Sequence, residues 1–532
     1  MRVARYILAS ILVLVTPAAA LAQAVANAQI HGVVTDSTGA SVPGAEVKAT
    51  QSETGRVVSA QSSGAGSYVL PNLPVGSYTL QVSAPNFSTY VQTGIVLEVS
   101  NDVLINVPMQ VGSVNQQVQV TADAAMVQTQ DTTIFQVVDQ RRIVDLPLNG
   151  RQATDLILLS GGAAIAPGAA ARIATTHNYP SASAVSVAGG QENGNNYLLD
   201  GGDNNDSHSN VNLPFPFPDA LQEFSVQTNG VPARYGIHPG AVVNVVTKSG
   251  TNSFHGDAFE FVRNGDFNAR NYFAATQDSL RRNQYGATIG GPAKKDKVFL
   301  FGGFQETATR TAPPQSIAFV PTQATLNGDF STIDSAACQS NGRRLIVRDP
   351  TTGVPYPNDF ISPSLFSTPS KNLLKNIPVS TDPTGCGKLV YSIPNPSNEN
   401  QVIGRADWVQ SSRHTLYGRY FIADFTNPVS YTNNLLTTTR SGLDERNQAV
   451  TIGDNFVFSP TFINSFHATY TRLMSNRSVA ADMPSPVFPG CEHDQLRSEL
   501  YQFGSDQFLH RRWWLERPGA LRAQSISVRR RY

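Results

Sequence analysis

The stretch "GAVVNVVTKSGTNSFHGDAFEF", residues 240–261, changes character halfway along, and this change decides the fold. Its first part is an apolar run with four valines, which is typical of a strand buried on both faces. Lys248-Ser249-Gly250 then supplies turn-forming residues, and a phenylalanine-rich segment follows at residues 254–261. The stretch predicts a buried strand that ends at a corner where a different sheet begins.

Beyond this corner, short turns alternate with longer loops, and the segments between them carry apolar residues at alternate positions. We predict seven strands, at residues 254–263, 284–291, 298–306, 402–410, 415–425, 450–458 and 465–471. Short turns lie at 293–297, 411–414 and 459–461, whereas residues 307–400 form a long polar loop. This order of connections indicates a transmembrane β-barrel, because a soluble sandwich has no reason to keep it.

The composition of the 532 residues argues against several functions. Basic and acidic residues both number 39, so the net charge is zero and no basic surface indicates nucleic-acid binding. Only 15% of residues are charged, below the roughly 25% of soluble domains, and 41 glycines fit a β-protein with many turns. Zinc, phosphate-loop and dinucleotide motifs are missing from the sequence. We therefore expect no catalytic residue, no cofactor and no metal site.

Residues 1–22 have the pattern of a signal peptide. Two arginines precede an apolar core at residues 7–15, and Ala20-Leu21-Ala22 fits a cleavage site that leaves Gln23 as the mature start. The apolar core is shorter than the ~20 residues that span a bilayer, which argues against a membrane anchor. No later stretch reaches that length, so membrane insertion of the mature chain requires a β-barrel.

Residues 29–110 predict a small β-sandwich of about seven strands. Apolar and polar side chains alternate at residues 45–50 and 78–84, as expected for strands that bury one face. Segments rich in Gly, Pro, Asp and Ser separate these strands, for example Asp36-Ser37-Thr38-Gly39.

Residues 111–130 connect this sandwich to the next unit. Val114, Val118 and Val120 alternate with polar residues, so the segment fits either a plain linker or an extended strand that adds to another protein's sheet. The spacing alone leaves both interpretations open.

Residues 131–250 combine short elements and many glycines, which predicts a compact α+β unit. Asp200, Asp203 and Asp206 raise the possibility of a calcium site, since Ca²⁺ prefers carboxylate oxygens. Their spacing is not that of an EF-hand, and a solvated loop of Asx turns is the alternative.

The chain contains three cysteines. Cys338 and Cys386 lie in the same long polar segment, and Cys491 lies near the end of the chain. Because export permits disulfides, we predict a Cys338–Cys386 staple in this loop.

Two segments, "HGVVTDSTGASVPGAEV" at 31–47 and "GSYVLPNLPVGSYTLQVSAPNF" at 66–87, resemble the carboxypeptidase regulatory-like domain. This resemblance implies a transthyretin-like sandwich and no peptidase activity. Its superfamily includes carbohydrate-binding relatives, so glycan contact and a spacer role both remain open.

Three further segments resemble the plug domain of TonB-dependent outer-membrane transporters, especially the Oar-like subgroup. They are "LPLNGRQATDLILLSGG" at 146–162, "NNYLLDGGDNND" at 195–206 and "RYGIHPGAVVNVVTKSGTNSFHGDAFEFVRN" at 234–264. The resemblance implies a plug at 131–250 and a barrel in contact with outer-membrane lipid from residue 251. It also matches the TonB box, the coupling strand of this family, to Val118, Gln119, Val120, Thr121 and Ala122.

The implied function is ligand import across the outer membrane of a Gram-negative cell. An unidentified extracellular ligand binds the outer loops and the plug, and the inner-membrane TonB complex pulls on the TonB box without covalent chemistry. The rival interpretation is a surface adhesion or carbohydrate-binding protein that uses the N-terminal sandwich and the long loop.

The predicted fold class is mainly β, with an N-terminal β-sandwich, an α+β plug and a partial transmembrane antiparallel β-barrel at residues 251–475. The family barrel has 22 strands, against the seven predicted here. Residues 476–532 are rich in arginine and lack the loop and strand alternation. We interpret this tail as the mark of a truncated or frame-shifted copy, with a short natural variant as the alternative.

Overall fold

The computed structural model describes most of the chain between residues 28 and 531. The described residues are 28–99, 101–112, 117–121, 134–166, 182–207, 209–229, 231, 240–270, 277, 279–311, 316–391, 395–428, 436, 442–459, 462–478 and 520–531. The predicted signal peptide, Ala122 and Cys491 lie outside these residues.

The first unit is a sandwich of two sheets. Its strands are β1 (Ala28–Thr35), β2 (Glu46–Gln51), β3 (Val57–Gln61), β4 (Ser67–Leu73), β5 (Gly76–Ser83), β6 (Thr89–Leu97), β7 (Asp102–Leu104) and β8 (Val107–Pro108). One sheet has the order β4-β1-β7, with β8 also paired to β1, and the other contains β3-β2-β5-β6. Tyr78, Leu80 and Val82 on β5 are buried in the core between the sheets. The predicted alternation along this strand is confirmed.

A further strand, β9 (Gln117–Thr121), extends the second sheet of the sandwich. It runs parallel to β6 in a register that pairs Thr89 with Gln117 and Thr93 with Thr121. The segment after the sandwich is therefore a strand rather than a plain linker over these five residues.

The second unit, called the plug here, is a mixed α+β fold. It contains β10 (Ile134–Asp139), α1 (Gln140–Asp145), a 3₁₀ helix (Ala153–Leu159), β11 (Ala163–Ile165), β12 (Val185–Val187), β13 (Asn196–Leu199), β14 (Gly202–Asp203), a 3₁₀ helix (Pro218–Ala220), β15 (Leu221–Asn229) and β16 (Val242–Thr247). The main sheet has the order β10-β15-β16-β13-β14. The carboxylate of Asp139 caps α1 by accepting a hydrogen bond from the Arg142 backbone N–H.

Strand β16 lies at the centre of the plug sheet, and all six of its residues are buried. Its valines explain this position, because a strand covered on both faces needs apolar side chains at nearly every residue. After β16 the chain turns through Gly250, where an added Cβ would meet the carbonyl oxygens of Leu300 and Gly291. The corner is therefore packed directly against the next sheet, and the buried strand and corner predicted from the sequence are confirmed.

The third unit is a single antiparallel sheet of eight strands among the described residues, called the wall here. Its strands are β17 (His255–Asn264), β18 (Arg281–Lys294), β19 (Val298–Arg310), β22 (Ser397–Ser411), β23 (His414–Asn427), β24 (Gly442–Ser459), β25 (Phe462–Ser478) and β26 (Ala520–Arg531). Each strand pairs with the next one in this order. This is the sequential pairing expected of part of an up-and-down barrel.

The long connection between β19 and β22 has small elements of its own. They are β20 (Ser316–Phe319), α2 (Gln323–Leu326), two 3₁₀ helices (Pro357–Asp359 and Pro363–Leu365), α3 (Thr368–Leu374) and β21 (Lys388–Tyr391), and β20 pairs with β21. A last 3₁₀ turn (Gly265–Phe267) follows β17. No helix in the described part of the chain is long and apolar enough to cross a bilayer.

The two faces of the wall have opposite character. The inner face carries buried polar residues such as Gln284, Gln401 and Thr451, whereas the outer face exposes apolar residues such as Ile289 and Ile452. Trp408 and Tyr420 also lie on this outer face. An apolar surface turned away from a polar interior is the pattern of a barrel wall in lipid.

The wall differs from the prediction in two respects. Six of the seven predicted strands are longer than expected, whereas the first has the predicted ten residues; for example, the predicted strand at 450–458 is observed as Gly442–Ser459. Its extension carries polar residues, and Arg446 there pairs with Asp424 on β23 at 2.5 Å. Apolar alternation identifies only the lipid-facing part of a strand, so it misses polar ends. The second difference is β26, which pairs with β25 in the tail that we interpreted as atypical.

Candidate functional site at the plug–wall interface

The plug meets the wall at Asp200, which directly follows β13. Its backbone has a φ of 50°, a conformation that Asp tolerates better than most residues. The carboxylate is buried and accepts a hydrogen bond from the Thr247 backbone N–H at 2.9 Å. Asp200 is thereby fixed to the end of the central strand β16, close to the corner that leads into the wall.

Two arginines of the wall share this carboxylate. Arg419 on β23 places its Nε 2.8 Å from one carboxylate oxygen, and Arg405 on β22 places its Nη1 3.2 Å from the other. The two arginines are register partners on neighbouring strands, so their side chains leave the wall side by side. Because both lie on the inner face, they reach a plug residue rather than lipid.

Neighbouring groups complete the cluster. Asp407 accepts hydrogen bonds from Arg405 at 2.9 and 3.0 Å, which brings the charges to two acids and two arginines. Tyr417 donates its hydroxyl to the backbone oxygen of Asp200 at 2.6 Å. Arg419 also donates to the Thr451 hydroxyl at 2.6 Å. The charges are matched within the cluster, which is the condition under which buried ions are tolerated.

A second contact comes from the "LPLNGR" segment of the plug. Arg151 forms an ion pair with Asp219 and stacks 3.8 Å from the ring centroid of Phe261 on β17. Gly150 accepts a hydrogen bond from the Gln284 side chain of β18 at 3.0 Å. The segment therefore contacts the first two strands of the wall.

Apolar packing adds a third contact. Phe217 and Ala220 of the plug form one buried cluster with Phe301, Ile403, Phe421 and Ala423 of the wall. The plug is held by apolar packing and by charged pairs together, so its release requires more than screening by salt.

The sandwich is also attached to the other units. The Val99 backbone N–H donates to the Glu223 carboxylate at 2.8 and 3.0 Å. Burial raises the pKa of Glu223 to about 8, against the lowering effect of this hydrogen bond, and the nearby Glu98 and Asp139 carboxylates raise it further. At the edge of the wall, the Asn252 backbone N–H donates to the Glu53 carbonyl at 3.0 Å.

The residues matched to the TonB box lie apart from this interface. Val118, Gln119, Val120 and Thr121 lie in β9 on the sandwich, and Ala122 lies outside the described residues. Cys338 and Cys386 form a disulfide in the long loop.

The three aspartates considered for calcium do not converge on one point. Asp200 is engaged by the wall arginines, Asp203 accepts from the Asn205 backbone N–H at 3.1 Å, and Asp206 accepts from the Ser209 backbone N–H at 2.8 Å. Among the described residues, no group of three His, Cys, Asp or Glu side chains is arranged to hold a metal ion.

The sequence analysis missed Arg405, Arg419 and Glu223 as functional candidates. A usable signal was present for the arginines, because they occupy the alternate positions of strands whose other positions are apolar or small. A charge at such a position has to face the barrel interior. Glu223 gave no comparable signal, since β15 mixes polar and apolar residues.

Two domain families match this chain. Residues 29–110 match the carboxypeptidase regulatory-like domain, and residues 246–502 match the outer membrane beta barrel domain. The TonB-dependent transporter Oar of Myxococcus xanthus is 29% identical over 255 residues, which are 46% of this chain and 23% of that protein.

Solved structures of outer-membrane receptors are also similar. The siderophore receptor PirA of Acinetobacter baumannii is 14% identical with a TM-score of 0.39, over 64% of this chain and 40% of that chain. The ferric enterobactin receptor PfeA of Pseudomonas aeruginosa is 11% identical with a TM-score of 0.39, over 64% and 41% of the two chains. The chain thus spans less than half the length of each of these relatives.

A wall with an apolar outer face, packed on a plug through its inner face, defines an outer-membrane β-barrel protein. The chain is similar to the TonB-dependent transporters of the Oar type, and it carries a carboxypeptidase regulatory-like domain and an outer membrane beta barrel domain.

Proposed function

We propose that the chain acts as a TonB-dependent receptor that imports a ligand through the outer membrane. The observation that carries this proposal is the plug, which is attached to the inner face of the wall by Asp200, Arg405 and Arg419. In this proposal the ligand binds on the outer side, and the inner-membrane TonB complex engages residues 118–122 to move the plug. The work comes from the proton gradient, so no catalytic group is required.

The ligand class stays open between siderophore, oligosaccharide and peptide. The outer loops that would select it follow no sequence rule that assigns a chemistry. The similar proteins that are named for siderophores are receptors of low identity to this chain.

The carbohydrate-binding alternative gains no support from the sandwich. Its four aromatic residues between 29 and 110 are Tyr68, Tyr78, Phe87 and Tyr90, and each is buried or half-buried. A sugar-binding platform needs exposed aromatic rings, and the described part of the sandwich presents none.

Deletion of residues 118–122 tests the proposal. We expect the deletion to abolish energised uptake and to leave ligand binding at the cell surface intact. Cells expressing either form are exposed to labelled ferric siderophores, oligosaccharides and peptides, and bound and internalised label are counted separately. Deletion of residues 124–128 is the matched control, because it shortens the same connection by five residues. Uptake that is unchanged by the first deletion would refute the proposal.

A further inference from the structure

Among the described strands, the sandwich sheet ends at β9, which has one occupied and one open backbone edge. Its sheet has the order β3-β2-β5-β6-β9, so β6 is the single partner of β9 among the described strands. Five consecutive register pairs, from Thr89 with Gln117 to Thr93 with Thr121, hold it parallel to β6. The N–H and C=O groups on its other side face away from the sandwich sheet, as at any edge strand.

The chain is also anchored to the sandwich just before β9. The Ser88 N–H donates to the Gln110 carbonyl at 2.8 Å, and the Gly112 N–H donates to the Asn86 carbonyl at 3.2 Å. Between these bonds, Phe87 and Val111 form an antiparallel bridge. These contacts hold the chain on the sandwich up to Gly112, five residues before β9 begins.

The side chains of Val118, Gln119 and Val120 on β9 contribute little apolar packing. Val118 is half-buried beside its register partner Tyr90, whose ring belongs to the sandwich core. Gln119 is exposed, and Val120 is 36% exposed. The strand is thus held mainly by backbone pairing, and a large part of its surface is accessible to a partner.

The sandwich itself is fixed to the remaining units. The Val99 backbone N–H donates a hydrogen bond to Glu223 of the plug, and the Asn252 N–H at the edge of the wall donates one to the Glu53 carbonyl. A strand held on the sandwich therefore has a defined place relative to the plug rather than the wide range of a free linker.

We propose that the sandwich is a docking platform that holds β9 extended, so that an edge strand of the periplasmic coupling protein pairs with its open edge. The sandwich sheet then continues into the partner through main-chain hydrogen bonds. Because β9 is already extended, the partner does not have to order it, and preorganisation of this kind strengthens binding. This inference rests on the proposed function, since it takes residues 118–121 as the coupling strand.

A reversible lock between β6 and β9 tests the platform. Val91 and Gln119 are register partners, and neighbouring strands lie about 4.8 Å apart, within the range of a disulfide. The double variant Val91→Cys/Gln119→Cys is made in the full chain with Cys491→Ser, and mass spectrometry scores the new disulfide. Binding of the purified periplasmic domain of the host TonB protein is then measured for the oxidised and the reduced form.

We expect the new disulfide to form and the locked chain to bind the TonB domain within about threefold of the reduced chain, because the open edge is unaffected. Failure of the disulfide to form would overturn the placement of β9. A loss of binding on oxidation that reduction restores would overturn the platform, since it means that β9 has to leave the sandwich. If the chain without the cysteine substitutions does not bind the TonB domain, the proposed function itself would be overturned.

A peptide comparison measures the gain from preorganisation. A synthetic peptide of residues 114–124 contains the same strand without the sandwich. We expect it to bind the TonB domain at least about tenfold more weakly than the full chain, because it has to be ordered on binding. Equal affinity of peptide and chain would contradict a platform role of the sandwich.

Discussion

The carboxylate of Asp200 in the plug lies 2.8 Å from Nε of Arg419 in the wall, although the two residues are far apart in the sequence. The side chains are 3% and 1% exposed, so this ion pair is buried. A buried pair costs desolvation when it forms, and removal of one partner leaves the other charge uncompensated. The plug–wall interface is therefore sensitive to substitution of either residue of this pair.

Asp200→Asn is expected to weaken the plug–wall contact strongly. The substitution leaves Arg419 buried beside a neutral amide, while Arg405 keeps Asp407, and the loss should be about 3–5 kcal/mol. Limited proteolysis of the folded protein in detergent measures this loss as faster cleavage within the plug.

Asp424→Asn is the control for this substitution. It removes the partner of Arg446 in an ion pair that is partly exposed, so the cost should be about 1 kcal/mol or less. Equal cleavage rates in the two variants would contradict a special role for Asp200.

The contact between Val99 and Glu223 should weaken as the pH rises from about 4.5 to about 8. Burial holds the pKa of Glu223 near 8, so the closed contact binds a proton that the opened carboxyl releases in this range. Opening then becomes easier by up to about 1.4 kcal/mol per pH unit. Hydrogen exchange of the peptide around Val99 measures this opening at each pH.

Glu223→Gln removes the titration and keeps an oxygen for the Val99 N–H. The exchange rate of wild type relative to this variant should rise with pH up to about 8. Glu98→Gln is the comparison, because burial also raises the pKa of Glu98, which is only half-buried. If the ratio of the exchange rates of wild type and Glu223→Gln does not change with pH, the Glu223 carboxyl does not control the contact.

Gly250→Ala should disturb the corner between plug and wall. The added methyl group would collide with the carbonyl oxygens of Leu300 and Gly291, and such crowding costs about 1–3 kcal/mol. The midpoint of thermal unfolding should fall. Gly161→Ala is a suitable control, because a Cβ at Gly161 meets nothing within 4 Å. A similar midpoint for both variants would contradict the tight corner.

Loss of the Cys338–Cys386 disulfide should loosen the long loop and spare the wall. The bond closes a separation of 48 residues, for which chain entropy predicts a contribution of about 4 kcal/mol to the stability of the loop. Cys338→Ser/Cys386→Ser should therefore become cleavable by protease within residues 316–391. Cys491→Ser should leave the loop resistant, and cleavage within β22 to β25 would contradict a local effect.

Much of the fold could be predicted from local patterns in the sequence. The valines of β16 predicted a strand buried on both faces, and alternation after Gly250 located the first seven strands of the wall. Strand β26 was not among the predicted strands, because the surrounding tail is rich in arginine and shows no alternation of turns and loops. The polar ends of the wall strands were not predicted, because they lack apolar residues at alternate positions.

The site was harder to predict from the sequence than the fold. Arg405 is 205 residues from Asp200, and only the packing of the plug on the wall brings them together. The same holds for Val99 and Glu223, which are separated by 124 residues. Sequence patterns report the face on which a side chain lies, whereas its partner depends on how whole units are placed.

The direction of β10 has a mechanical consequence. Its Asp139 end pairs with Glu223, which contacts the sandwich, whereas residues 122–133 join its opposite end at Ile134, which pairs with Asn229. A load drawn from the sandwich side through residues 122–133 therefore acts first on the far end of β10. We expect the six register pairs between β10 and β15 to open one after another under such a load rather than all at once. Opening one pair at a time requires less force than breaking all six pairs together.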